Sequence, residues 1–410
     1  MEREDVLARA EAAREKPARH GPDLDLRSFH IEGHGDAAGA GRGLDREVRE
    51  AALGAGVDLG AERRAGSFVQ RDQGLLARAV AERFAGRLDL AWSADLAGRP
   101  PWVDEVWWRL LDPGADKYTA AAALQPTGGY CLRALPGARI DEPVQACLLI
   151  DETALSQNLH NVVVVEEGAA LHVITGCTVQ RAVVGLHIGV SEFLVKRNAS
   201  LTFTMIHRWG EGIDVRPRSA VLVEEGGTYV SNYVLFGAVR SLQMYPETIL
   251  RGAGARARFQ AVLSGRGDSV IDIGSRVVHE GDGSSSETIT RTIGAERSRT
   301  WARGQLVAHT NRCRARLECR GMLVSREAAI VAIPELEADG VPQAELSHEA
   351  AISPIAEEEV AYLTARGLDR EEAVAAITRG FLNVDLPGLP PGVERSVREA
   401  LAATPAGAGL

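Results

Sequence analysis

Cysteine is scarce, with five residues in 410, at positions 131, 147, 177, 313 and 319. The count is odd, the density is low and no C-x-x-C pair occurs, so neither a disulfide framework nor a self-contained zinc or ferredoxin-type site is implied. Isolated cysteines of this kind usually serve as small buried apolar residues. Positive charge is not in excess: 46 basic against 56 acidic residues give a net charge of −10. That balance speaks against the broad basic surface of a nucleic-acid binder. No apolar run reaches the roughly 18 residues of a membrane-spanning helix. The start, Met1-Glu2-Arg3-Glu4-Asp5, has no apolar stretch of the signal-peptide kind, and the chain reads as cytoplasmic.

Several catalytic signatures are missing too. There is no G-x-x-x-x-G-K-[ST] loop, so intrinsic ATPase activity is not expected. Ser264-Gly-Arg-Gly-Asp268 is glycine-rich but lacks the lysine and reads as a turn. His279-Glu280 and His348-Glu349 are not followed by the second histidine of H-E-x-x-H, and no G-x-S-x-G elbow occurs.

Glycine, by contrast, is abundant: 43 residues with no strict three-residue period, which excludes collagen and points to many tight turns. Residues 1–145 look mixed. Helical spacing is expected in 1–19, 44–53 and 73–84, a loop in 33–43, and strands or a packed aromatic cluster at 100–102 and 106–108. From 146 to 340, short Val/Ile/Leu strands alternate with small turns, and helix-length periodicity almost disappears. Strand starts after 295–297, 310–312 and 325–327 recur roughly 15 residues apart, a repeat that suits stacked rungs. The expected fold is an all-β core, a right-handed parallel β-helix with helical N- and C-terminal regions. A jelly roll or sandwich, with similar short strands, is the competing architecture.

Alternation of side chains along a strand assigns faces. Arg312, Arg314, Arg316, Glu318 and Arg320 share one face, while Cys313, Ala315, Leu317 and Cys319 share the other, which should point inward. Ser298, Thr300, Ala302, Gly304, Leu306 and Ala308 form another small inward face. In 344–353, His348 falls on the face of Leu346 and Ala350, and Glu349 on the opposite face. Residues 341–410 should hold a final strand and then helices. One runs over 357–366 with a stop at Gly367; the next starts at an Asp369/Glu372 capping box; a short third is expected at 396–402.

Thiolates are soft ligands and sulfur nucleophiles, and a carboxylate can complete an iron site where thiols are few. The residues alone leave Cys319 and Glu349 open between that chemistry and ordinary packing or surface roles. Cys319-Arg-Gly-Met-Leu-Val-Ser, Ile333-Pro-Glu-Leu and Leu346-Ser-His-Glu-Ala-Ala-Ile-Ser together resemble the SufB/SufD family of iron–sulfur cluster assembly scaffolds. Gly176-Cys-Thr, Glu192-Phe-Leu-Val-Lys, Asp272-Ile-Gly-Ser, Tyr362-Leu-Thr-Ala-Arg-Gly-Leu and Glu371-Glu-Ala through Gly380-Phe381 add to it, over about residues 145–385.

The resemblance implies a non-enzymatic scaffold that accepts sulfur and iron and holds a transient iron–sulfur cluster. It implies Cys319 and Cys177 as sulfur acceptors, and Cys319, Glu349 and His348 as metal ligands. His348-Glu349-Ala350 is SufB-like, since SufD usually carries glycine after the histidine. The chain lacks the N-terminal cysteine motif of many SufB proteins and is shorter, which leaves SufB, SufD and an ancestral-like member open. Implied partners are a SufC-type ATPase docking on the C-terminal helices, a cysteine desulfurase or sulfur carrier, and a second copy or related SufB/SufD chain. So few ligands require a second subunit, a persulfide or a small thiol, with His309 or His348 as possible donors across an interface. The alternatives are a β-helix structural adaptor, which needs no thiol, and a carbohydrate-active β-helix enzyme. The latter needs converging carboxylates that the strand region does not display.

Overall fold

A computed structural model describes residues 1–33, 44–61, 63–95, 98–182 and 184–382. Two sheets run through it face to face. One has ten strands in the order Gly74–Val80, Gly66–Arg71, Val144–Ile150, Ala170–Val179, Ser200–Arg208, Thr228–Phe236, Arg256–Gly265, Ser285–Gly294, Arg314–Leu323 and Glu345–Pro354. The other is built around Leu155–Val165, Gly185–Val195, Arg218–Val223, Glu247–Leu250, Arg276–His279, Arg299–Ala308 and Ala329–Ala338. Every strand pairing between Val144 and Pro354 is parallel. The core is therefore a parallel β-solenoid flanked by helices, and not an antiparallel sandwich.

The register sets the rung. Ala170 pairs with Ser200, Ser200 with Thr228, Thr228 with Arg256, Arg256 with Ser285 and Ser285 with Arg314, so one coil takes about 29 residues. The 15-residue recurrence in the sequence is half a coil, one strand in each sheet. One corner explains part of the glycine content. Gly137, Gly168, Asn198, Gly226, Gly254 and Gly283 all have φ between 55° and 72° and recur once per coil. Such a left-handed turn favours glycine or asparagine. Backbone N–H groups from Gly168, Asn198, Gly226 and Gly254 donate to the next coil at 2.8–3.0 Å, tying the corners into a stack.

Between the sheets the side chains form one continuous apolar core, from Phe68 and Leu88 to Leu317 and Cys319. The alternation expected for 312–320 is present. Ala315, Leu317 and Cys319 are buried; Arg314, Arg316 and Arg320 are exposed. Glu318 breaks the pattern. It lies on the arginine face yet is buried, because Arg291, Arg316 and Arg320 close over it at 2.6, 2.8 and 3.0 Å.

Residues expected to be helical at 73–84 instead include the strand Gly74–Val80, which folds back antiparallel on Gly66–Arg71. Pairing with an existing sheet edge overrode local spacing there. The N-terminal helices Arg3–Ala12 and Lys117–Leu124 pack on each other, and Asp116 caps the second through the N–H groups of Tyr118 and Thr119. Residues 34–43 and 383–410, which include the expected glycine loop and the third C-terminal helix, lie outside the described residues. The helices Glu357–Thr364 and Arg370–Leu382 do form. Asp369 and Glu372 exchange the expected reciprocal capping bonds at 2.9 and 2.7 Å, and Gly367 sits at φ 100°. Val360, Ala373, Val374 and Leu382 bury against Ile293, Val324 and Ile355 of the late coils.

One carboxylate clasps the N-terminal region to the solenoid. Glu192 is wholly buried and accepts N–H bonds from Trp108, Arg109, Leu110 and Leu111 at 2.6, 2.9, 2.7 and 3.1 Å. It also meets His160 Nε2 at 2.8 Å, while Trp107 and Trp108 pack on that imidazole. Removing the carboxylate leaves these donors buried without an acceptor. Glu192→Ala should cost about 3–5 kcal/mol in urea unfolding, with faster proteolysis within 1–145. A loss below about 1 kcal/mol would show that the clasp is dispensable.

Candidate functional site

All five cysteines are free and buried. Two of them lie on the interior face of the ten-stranded sheet beside other ligand-capable groups.

Cys319 sits on Arg314–Leu323, the last strand but one of that sheet. Its register partners are Thr290 on one side and Ala350 on the other. Burial raises its thiol pKa to about 11; the neighbouring Glu318 adds to the rise and Arg291 opposes it. His348 pairs with Leu317, which puts it on the same interior face as Cys319. It is half-buried, and its Nε2 is buried without a hydrogen-bond partner. Glu349 pairs with Glu318 and so projects from the outer face. Its side chain is 54% exposed and is held by Arg316 at 3.1 Å and Arg320 at 3.3 Å. Cys319 and His348 are thus brought to one face, and Glu349 to the other. His309 is exposed just past the end of the Arg299–Ala308 strand.

Among the described residues, the strand Glu345–Pro354 pairs only with Arg314–Leu323, and Ala329–Ala338 only with Arg299–Ala308. Both present a free edge, and Val331, Leu336 and Ile352 are exposed apolar residues on these two strands. The two strands form the end of the solenoid.

Cys177 lies near the other end. His207 is its register partner on the adjacent strand, and His187 reaches in from the opposite sheet. The ligand atoms of Cys177, His187 and His207 all lie within 4.8 Å of one another, and all three residues are buried. Sequence reading named Cys177 but missed both histidines. The signal was present: His207 follows Cys177 by 30 residues, one coil. Using it requires the rung length, which the half-coil recurrence concealed.

Interior rows connect the two regions. Thr175, Met205, Tyr233, Ala261, Thr290 and Cys319 follow one another in register across the sheet. A narrow cavity of about 50 Å³ runs along this row, lined by Met205, Tyr233, Ala261 and Thr290 among mainly apolar neighbours. At one end Tyr233 Oη meets His207 Nδ1 at 2.9 Å. At the other, Thr290 adjoins Cys319. The two thiols are five strands apart, or ~24 Å.

Comparison with known proteins follows this geometry. The SUF system FeS cluster assembly SufBD core domain matches residues 148–381. An iron–sulfur cluster assembly SufBD family protein of Methanothermobacter thermautotrophicus is 41% identical over 404 residues, covering 97% of this chain and 98% of the relative. One of Archaeoglobus fulgidus is 41% identical over 360 residues, covering 88% and 95%. The iron–sulfur cluster assembly protein SufB of Bacillus subtilis is 27% identical over 294 residues, covering 70% and 62%.

The dry interior also sets the acid limit of the fold. Burial lowers the pKa of His279 to about 4, of His187 to about 3, and of His207 well below its ordinary value. Folded, these rings stay neutral; unfolded, they take up protons near pH 6.5. Stability is therefore fully present above pH 6.5 and drains away as pH falls toward about 3. The urea midpoint should fall steadily between pH 7 and pH 4. A midpoint unchanged over that span would contradict neutral interior histidines.

Proposed function

This chain belongs to the SufBD family of iron–sulfur cluster assembly proteins, and from that premise we propose that it is a scaffold that receives sulfur and iron and holds a nascent cluster at Cys319. The observation that carries this reading is a buried thiol and an unsatisfied imidazole on one interior face, Cys319 on the last strand but one and His348 on the terminal strand. Both donors suit iron, and neither is engaged elsewhere by a strong partner. Cys177 is the second sulfur acceptor in this reading, and the small cavity lined by Tyr233 and Thr290 lies along the row between the two without reaching either thiol. Glu349 joins the ligand set only if the terminal strand shifts or a second chain brings the site to the outer face.

One thiol and one imidazole are too few for a conventional cluster. We assign the remaining ligands to a second copy or a related SufB/SufD chain that pairs with the free edges at 329–338 and 345–354. Unpaired strand edges with exposed Val331, Leu336 and Ile352 favour such addition. The chain itself performs no catalysis in this scheme. Energy comes from a SufC-type ATPase docking on the C-terminal helices, where Tyr362 is exposed. Sulfur comes from a cysteine desulfurase or sulfur carrier, and the setting is cytoplasmic.

Anaerobic reconstitution with iron and sulfide tests the site. The wild-type chain should develop cluster absorbance, Cys319→Ser should lose most of it, and Cys313→Ser, on the same face, should retain it. Absorbance equal to wild type in Cys319→Ser and in His348→Ala would sink the assignment. The assembly claim has its own test. Ile352→Asp should shift the chain to a smaller species in sedimentation while leaving its β-sheet circular dichroism intact. A wild-type chain that stays monomeric at all concentrations and still holds a stable cluster without added thiols would contradict it.

A further inference from the structure

Cys177, the second sulfur acceptor in that reading, also sits beside two histidines to which cluster assembly at Cys319 gives no role. Two buried histidines and a buried thiol converge inside an otherwise apolar core. A core histidine normally has both ring nitrogens satisfied. Here His207 Nε2 is buried with no hydrogen-bond partner. The second-sphere contacts fix where the lone pairs point. Gln157 Nε2 donates to the carbonyls of Asp72 and Leu149 at 3.2 and 3.0 Å, so the amide orientation is set. Its Oε1 therefore faces His187 Nδ1 at 3.0 Å and can only accept, which makes Nδ1 the N–H and leaves the lone pair on Nε2. Tyr233 Oη can likewise accept from His207 Nδ1, freeing Nε2 of that ring. Second-sphere acceptors that orient imidazoles in this way are typical of metal sites.

We propose that Cys177, His187 and His207 bind one divalent first-row transition-metal ion, of the Fe2+, Co2+ and Zn2+ class, through Sγ and the two Nε2 atoms. A donor set of one sulfur and two imidazoles suits these ions and offers nothing to Mg2+ or Ca2+. Metal bonds of about 2.0–2.3 Å draw the three groups inward from their present spacing. Both rings are already neutral and need lose no proton. The thiol gives up its single proton to solvent when the Sγ–metal bond forms, so one proton leaves per ion bound. Three protein ligands leave room for a further, non-protein ligand. The site lies ~24 Å from Cys319 and does not depend on cluster assembly there.

Cobalt is the probe. Chelator-treated wild-type chain titrated anaerobically with Co2+ should saturate at one ion per chain. A thiolate-to-cobalt charge-transfer band should appear in the near ultraviolet, with visible bands of low-coordinate cobalt. Cys177→Ser should abolish the charge-transfer band, His207→Gln should weaken binding on the order of tenfold or more, and Cys319→Ser should leave both features unchanged. X-ray absorption of the wild-type cobalt form needs no variant and should give one sulfur with two imidazoles in the first shell. A first shell without sulfur, or bands that survive in Cys177→Ser, would overturn the site. So would bands lost only in Cys319→Ser. Normal cluster reconstitution without cobalt binding would reject this inference and leave the scaffold reading standing; the reverse result would do the opposite.

Discussion

Water exclusion between two facing parallel sheets is the constraint on which the rest of this molecule depends. Each coil contributes one strand to the ten-stranded sheet and one long or two short strands to the other, and interior side chains stack on the same positions of the coils before and after. A polar group in that space must find a partner inside or remain unsatisfied at a cost of about 1–3 kcal/mol. Most do find one. Gln70, Gln157 and Asn158 bridge backbone carbonyls or hydroxyls, and Tyr130 Oη meets Thr175 Oγ1 at 2.9 Å. Several buried groups do not, Gln145, His160 and Gln260 among them; of the unpartnered nitrogens, those of His207 and His348 share an interior face with a thiol on the adjacent strand.

The same dryness governs the thiols. Burial raises the pKa of Cys131 to about 12 and of Cys319 to about 11, and also raises those of Cys147 and Cys177. A protonated thiol is a poor nucleophile and a poor ligand. Cationic neighbours offer little compensation in the interior. Arg291 lowers the Cys319 value, yet it is already paired with Glu318, whose carboxylate acts in the opposite direction. A metal ion or a structural opening is then needed to generate thiolate, and a chain of this kind stays unreactive until one of them arrives.

Strand alternation made much of this legible in the sequence. It assigned Cys319 to the interior, separated His348 from Glu349, and placed the arginines at 314, 316 and 320 outside, all from a period of two. The Asp369/Glu372 cap was legible for the same reason: its rule is local. What failed needed tertiary knowledge. Residues 74–80 have helical spacing but joined an available sheet edge. The roles of Glu192 and Glu318 depend on loop amides and arginines far away in sequence. The Cys177/His187/His207 group needs both the coil length and the facing of the two sheets, and neither follows from apolar pattern alone. The identities proposed for Cys319, His348 and Glu349 came from family resemblance, and alternation then determined which could act together.

A solenoid is close to one-dimensional: each coil leans only on its neighbours, so interior coils are held on two sides and a terminal coil on one. Cys177 has a strand on both flanks and several more coils beyond them. Exposing it requires two neighbouring coils to part. Among the described residues, Cys319 is covered on its outer flank only by Glu345–Pro354, a strand whose residues are largely exposed and which has no further described strand beyond it. Displacing that one strand would admit water to the thiol, remove the main cause of its high pKa, and release His348 with it. It would also break the register between Glu349 and Glu318, freeing the glutamate to follow the strand. The end of the stack is thus where a buried thiol can be opened at the least structural cost, and it is also where a second chain could re-pair the exposed edges. Burial protects the sulfur chemistry, and position in the stack decides which of the two thiols can be reached by local motion.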